Sequence, residues 1–97
     1  MAAMGLRFEW DGRKAARNLI KHGISFDEAT TVFSDPLSLA IPDPDHSGED
    51  ERWIIIGETH RRRLVVVVHT DDAGTVRIIS AREADRQERE KYEEGAS

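Results

Sequence analysis

His22 closes a row of polar side chains, Lys14, Asn18 and His22, that recur at every fourth residue and would stack along one line of a helix. Imidazole changes charge near neutral pH and is the side chain best suited to move a proton there. A histidine in the last helical turn also favours the helix dipole, and residue type alone gives that structural role the advantage. Arg52, Arg63, Arg77 and Arg82 flank or interrupt β-branched runs. A guanidinium so placed can hold a phosphate-like anion bidentately and stabilise charge that grows during a reaction. Arg77 is the most informative: inside Val76-Arg77-Ile78-Ile79 it is costly unless it faces a polar cleft or a carboxylate. Arg52 and Arg63 also admit a plainer role as partners in surface ion pairs.

Other constellations carry less chemistry. His69 lies six residues beyond Arg63 on the same run, about 20 Å away in a strand, so the two cannot act on one anion; it ranks second to His22. Asp43-Pro44-Asp45-His46 has metal-ligating types, but two prolines stiffen it against wrapping a cation, so no metal and no cofactor is expected. Ser80 has no Gly-x-Ser-x-Gly elbow, and the chain has no glycine-rich phosphate loop.

The elements that must position these groups follow from periodicity. Leu6 to Trp10 alternates apolar and polar residues, the pattern of a half-buried strand. Asp11 is an N-cap for a helix through His22, stopped by Gly23, with Ala15, Ala16, Leu19 and Ile20 as its apolar stripe. Ser25-Phe26-Asp27-Glu28 is a capping box for a second helix that ends at Asp35-Pro36. A short strand over Leu37 to Ile41 and an exposed acidic loop over Pro42 to Gly48 come next. Arg52 to Gly57, Arg63 to Thr70 and Thr75 to Ala81 read as a three-stranded antiparallel meander. With even-numbered connections, Arg52, Arg63, His69 and Arg82 share one face and Arg77 and Trp53 the other; Arg52 then opposes His69, and Glu58 opposes Arg63. An odd connection reverses this. Beyond Arg82 a charged helix has only Ala84 and Tyr92 as apolar anchors, which predicts a weakly held element, mobile or gripped by a partner. The fold class is α+β: a small antiparallel sheet with two N-terminal helices and one C-terminal helix.

The 97-residue length makes this one small domain over residues 1–97, with the ordered part about 6–93. The absence of cysteine excludes disulfides, thiolate metal sites and a Cys nucleophile, and fits a reducing cytoplasm. Aliphatic runs such as Val65 to Val68 are far too short to span a membrane, and the N-terminus has no signal-peptide core. A net charge of −5 argues at first against nucleic acid. The charge is unevenly spread, however: residues 35–51 hold six acids and no Lys or Arg, whereas residues 52–89 hold eight arginines against six acids.

Beyond these patterns, Phe8-Glu9-Trp10-Asp11, Lys21-His22-Gly23 with Ser25-Phe26, Val32-Phe33, Asp35-Pro36, Glu51-Arg52, Gly57, Arg63, Arg77-Ile78-Ile79-Ser80-Ala81-Arg82, Glu88-Arg89 and Tyr92 resemble the BrnT family of bacterial type II toxins. The resemblance runs over nearly the whole chain. It implies a RelE-like fold and a ribonuclease that blocks translation, neutralised by a BrnA-like antitoxin whose ribbon-helix-helix part binds the operon's promoter. DNA would then be contacted only through that partner. Gly12 stands where the family often has Pro, and Asp72 near where it often has Arg, which takes a cation from the expected phosphate-binding rim.

Metal-independent RNA cleavage needs a base near the 2′-hydroxyl, an acid for the leaving oxygen and cations on the phosphate. The resemblance raises His22 to an even choice for proton transfer, with Arg52, Arg63, Arg77 and Arg82 on the phosphate. Lys14, Lys21, Arg61 and Arg62 are expected to steer RNA, and Trp53 and Tyr92 could stack on bases, although burial is the commoner fate of an aromatic in so small a chain. The negative net charge, the acidic 35–51 segment and Asp72 favour an alternative: a non-catalytic module that binds the antitoxin and tunes its DNA binding.

Overall fold

Asp11 is extended, and its carboxylate accepts the Arg13 and Lys14 N–H groups at 2.8 and 3.1 Å, which starts α1 (Gly12–His22). Those N–H groups, with that of Lys14 leading, hold the Asp11 carboxyl below its usual value. Gly23, at φ 72°, takes the left-handed conformation that stops the helix, and its N–H donates to the Leu19 carbonyl. Ser25 caps α2 (Phe26–Thr30) by accepting the Glu28 N–H at 3.0 Å. The chain then tightens into a 3₁₀ turn over Thr31–Ser34. The structure, a computed structural model, describes residues 6–44 and 51–96. Asp45, His46 and the rest of the acidic loop through Asp50 lie outside the described residues.

Five strands form one sheet: β1 (Arg7–Glu9), β2 (Leu39–Pro42), β3 (Trp53–Glu58), β4 (Leu64–Asp72) and β5 (Thr75–Glu83), in the order β1-β5-β4-β3-β2. The sheet is mixed. The antiparallel expectation fails at β1, which runs parallel to β5 with Phe8 opposite Val76. No turn joins β1 to β5, so a three-residue strand's periodicity could not name its partner. The other neighbours are antiparallel.

The even-connection register is also corrected. The link from Glu58 to Leu64 holds five residues, with Arg62 left-handed at φ 65°, so Trp53 rather than Arg52 opposes His69, and Leu64 rather than Arg63 opposes Glu58. Between Val68 and His69 the pairing with β5 slips by one residue, a β-bulge that leaves Ile79 unopposed. Trp53, Ile55, Val65, Val67, His69, Val76, Ile78 and Ala81 therefore share the face against which α1, α2 and the 3₁₀ turn pack. Arg77 and Arg82 fall on the other face, and strand alternation carries Arg52 there too.

The core joins that face to Ile24, Phe26, Ala29 and Val32, with Phe8, Trp10, Ala15 and Phe33 at its margin. Helix α1 is rotated from its expected stripe, of which only Ala15 packs on the core. Asn18 is its buried residue, whereas Leu19 is 50% and Ile20 86% exposed. The reason is polar satisfaction: the Asn18 amide donates to the Ile24 and Ala81 carbonyls at 3.0 and 2.8 Å and accepts the Ala81 N–H at 3.1 Å. This clamps the helix to β5.

The last helix, α3 (Arg86–Ala96), is held by polar contacts. Asp85 and Glu88 exchange backbone and carboxylate hydrogen bonds, each at 2.8 Å, in a reciprocal capping box. Glu88 also receives both Nη atoms of Arg82, at 2.8 and 2.7 Å. The Tyr92 hydroxyl donates to Asp35 at 2.7 Å. Gly57 allows the close approach beside this contact, since a Cβ there would meet Val32 Cγ1 at 2.8 Å. Among the described residues no helix is long and apolar enough to cross a membrane.

Candidate functional site

The sequence candidates separate into three places. At the C-terminal end of α1, Lys21 and half-buried His22 stand next to Gly23, whose carbonyl accepts Arg63 Nη2 at 3.0 Å. Arg61, Arg62 and Arg63 belong to the β3–β4 connection, so two elements converge on one basic end. Its organiser is Glu28, which is 4% exposed. Arg63 grips Glu28 through Nε at 2.9 Å and through Nη2, while the Thr59 hydroxyl donates to the same carboxylate at 2.8 Å. Arg61 Nη1 approaches it to 4.0 Å. The Arg63 hydrogen bonds hold the Glu28 carboxyl below its usual value, against burial, with help from Thr59. Glu28 therefore stays an anion, and Arg63 is fixed in direction with Nη1 taking no part in these contacts.

The second place is the opposite face of the sheet. Arg77 forms a 3.0 Å pair with Glu9, in which both side chains are about half exposed, so the carboxylate that makes its place in the strand tolerable is on the neighbouring strand. Arg82 is occupied by Glu88. The Nε of Arg52 is buried without a hydrogen-bond partner. Lys14, exposed in the first turns of α1, and Arg77 both act on the Asp11 charge. At 1.5 Å per residue, α1 puts that end about 15 Å from His22. His22 and Arg77 are therefore not one site.

In the third place Trp53 and His69 face each other across β3 and β4, and Phe33 packs edge-on against the His69 ring at 4.9 Å. Burial keeps the imidazole below its ordinary value despite the opposing pull of Thr70 and Asp71. Tyr92 stands apart on α3, where burial and its bond to Asp35 push its hydroxyl up to about 12. Glu28 and Thr59 were missed in the sequence. Glu28 read as the reciprocal member of a capping box, but its side chain turns away from Ser25 to Arg63. Its spacing of four residues from the apolar Val32, on a different side from Phe26 and Ala29, was the one available signal.

A buried carboxylate that orients an arginine, with further cations on the same connection, is an arrangement suited to a phosphodiester, and the α+β frame around it is that of a known class of small toxins. The family model for the ribonuclease toxin BrnT of type II toxin-antitoxin systems matches residues 10–88, and the chain belongs to that family. Among solved structures it is similar to the Brucella abortus ribonuclease toxin BrnT, a crystal structure at 1.1 Å. The identity is 25% and the TM-score 0.61, covering 84% of this chain and 99% of that one. No curated protein matches.

Proposed function

We propose that the chain is a RelE-like, metal-independent endoribonuclease that inhibits translation in the cytoplasm and is neutralised by a BrnA-like ribbon-helix-helix antitoxin, through which alone it meets DNA. The observation that supports this reading is the Glu28-held Arg63 donating to the carbonyl of Gly23, the residue after His22, with Arg61 beside the same carboxylate. There the 2′-hydroxyl oxygen attacks phosphorus, its proton passes to a base, and the 5′ oxygen leaves with a proton, giving a 2′,3′-cyclic phosphate. His22 handles one of these protons. Arg63, already oriented, and the exposed Arg61, Arg62 and Lys21 hold the phosphate as its charge grows. Arg52, Arg77 and Arg82 guide the rest of the strand over the other face.

One observation favours the non-catalytic alternative: Arg63, Arg77 and Arg82 each already have a carboxylate partner. Incubating the purified chain with mixed-sequence RNA in excess EDTA separates the readings. Cleavage by the wild type, lost in folded His22→Ala and Arg61→Ala/Arg62→Ala variants but kept in Arg77→Ala, is the expected result. Intact RNA together with harmless expression in cells would favour the binding module, and loss of cleavage in Arg77→Ala alone would move the site to the other face.

A further inference from the structure

A cavity of about 610 Å³ opens at the end of β3 and β4 away from the Arg61–Arg63 connection, walled by Trp53, His69, Glu51, Asp71 and the Ala73-Gly74 turn. Its ionisable walls are two exposed carboxylates and an imidazole that burial keeps neutral at physiological pH. Among the described residues neither Glu51 nor Asp71 has an ion-pair partner. Arg52, next in sequence to two wall residues, is carried by strand alternation to the other face of the sheet. His69 is 94% buried, being 6% exposed, and neither ring nitrogen reaches a partner in good hydrogen-bond geometry, the Thr70 backbone acting on the ring only weakly. A buried polar group with no partner is uncommon and costly, and is a mark of a site that a ligand completes.

Each wall asks for the same complement. The carboxylates need a cation, the indole face of Trp53 attracts one through its quadrupole, and neutral imidazole can accept an N–H. A guanidinium meets the first two needs directly and brings N–H donors toward the third: it is planar, permanently charged and able to stack. A nucleic-acid strand suits the cavity poorly, since its phosphates would meet two carboxylates and no cation. We infer that this cavity is a docking pocket for an arginine side chain presented by a partner protein, separate from the basic end of the molecule where RNA is proposed to bind. Trp53 thereby belongs to protein recognition rather than to base stacking.

The test uses the whole chain, ¹⁵N-labelled, titrated with the blocked peptide acetyl-Gly-Arg-Gly-amide and, in parallel, with its norleucine counterpart and a single-stranded RNA oligonucleotide. The expected result is saturable movement of the Trp53 indole N–H and the His69 ring signals with the arginine peptide alone. Glu51→Gln/Asp71→Asn should weaken that binding by about tenfold or more while leaving signals elsewhere in place. Both positions are exposed, so the carboxamides preserve the fold. No saturable movement with the arginine peptide, unchanged affinity in the double variant, or equal binding of the norleucine peptide would overturn the pocket. Movement with RNA instead would make it a nucleobase site.

Discussion

Replacing Arg63 by alanine should leave the Glu28 carboxylate buried with only the Thr59 hydroxyl and distant Arg61 for company. Orphaning one member of a buried ion pair costs roughly 3–5 kcal/mol; because the Arg63 side chain is 32% exposed, the loss should fall at the low end, about 3 kcal/mol. Glu28→Gln should cost less, since the amide still accepts from Thr59 and the released guanidinium can reach water, which Glu28 cannot. Urea unfolding measures both: a loss of ~3 kcal/mol lowers the midpoint by about 1–3 M for a chain of this size. The pH dependence makes the test sharper. A carboxyl whose folded value lies below the ordinary 4.5 contributes stability that is complete above 4.5 and fades as pH falls through the folded value. The gap between wild type and Arg63→Ala should therefore be widest at neutral pH and close below pH 4.5. An Arg63→Ala loss under about 1 kcal/mol, or one equal at pH 7 and pH 3, would refute the assignment of Glu28 as organiser of the basic end.

Three further outcomes follow from the packing and electrostatics. Gly57→Ala pushes a methyl against Val32 Cγ1 and Ser38 Cβ, at 2.8 and 3.1 Å, and should lower stability by about 1–3 kcal/mol in denaturant unfolding. Tyr92→Phe removes the bond to Asp35; amide exchange should quicken across α3 while protection in β3 to β5 persists. His69 is held below its ordinary 6.5, so it contributes stability in full above that pH and loses it as pH falls; His69→Phe should remove this limb from the stability profile between pH 6.5 and the carboxylate range.

Most elements were legible because each carried its own punctuation. Asp11 and Gly23 bracket α1, and β-branched runs mark β3 to β5. What the residues could not declare was relative placement. The parity of the Thr59–Arg63 connection depends on a left-handed arginine rather than on a glycine or asparagine, so nothing announced an odd turn, and Arg52 and Trp53 exchanged faces. The face of α1 was misjudged because one asparagine with three backbone hydrogen bonds outweighs Leu19 and Ile20. At the candidate site His22 and the Arg61–Arg63 run were visible as types, whereas Glu28 was hidden behind a capping pattern that fits its position and only half of its bonding.

The parallel pairing of β1 with β5 has a consequence for how the protein is made. Residues 7–9 have their strand partners at residues 75–77, and Asn18 of α1 is clamped by Ala81. At synthesis rates of about 5–20 residues per second, the first strand and first helix wait roughly 3–15 s for the segment that holds them. The nascent chain therefore carries His22 long before α1 has its β5 clamp. The Glu28–Arg63 grip can form once residue 63 is made, but the helix that carries His22 is clamped only after Ala81 has followed.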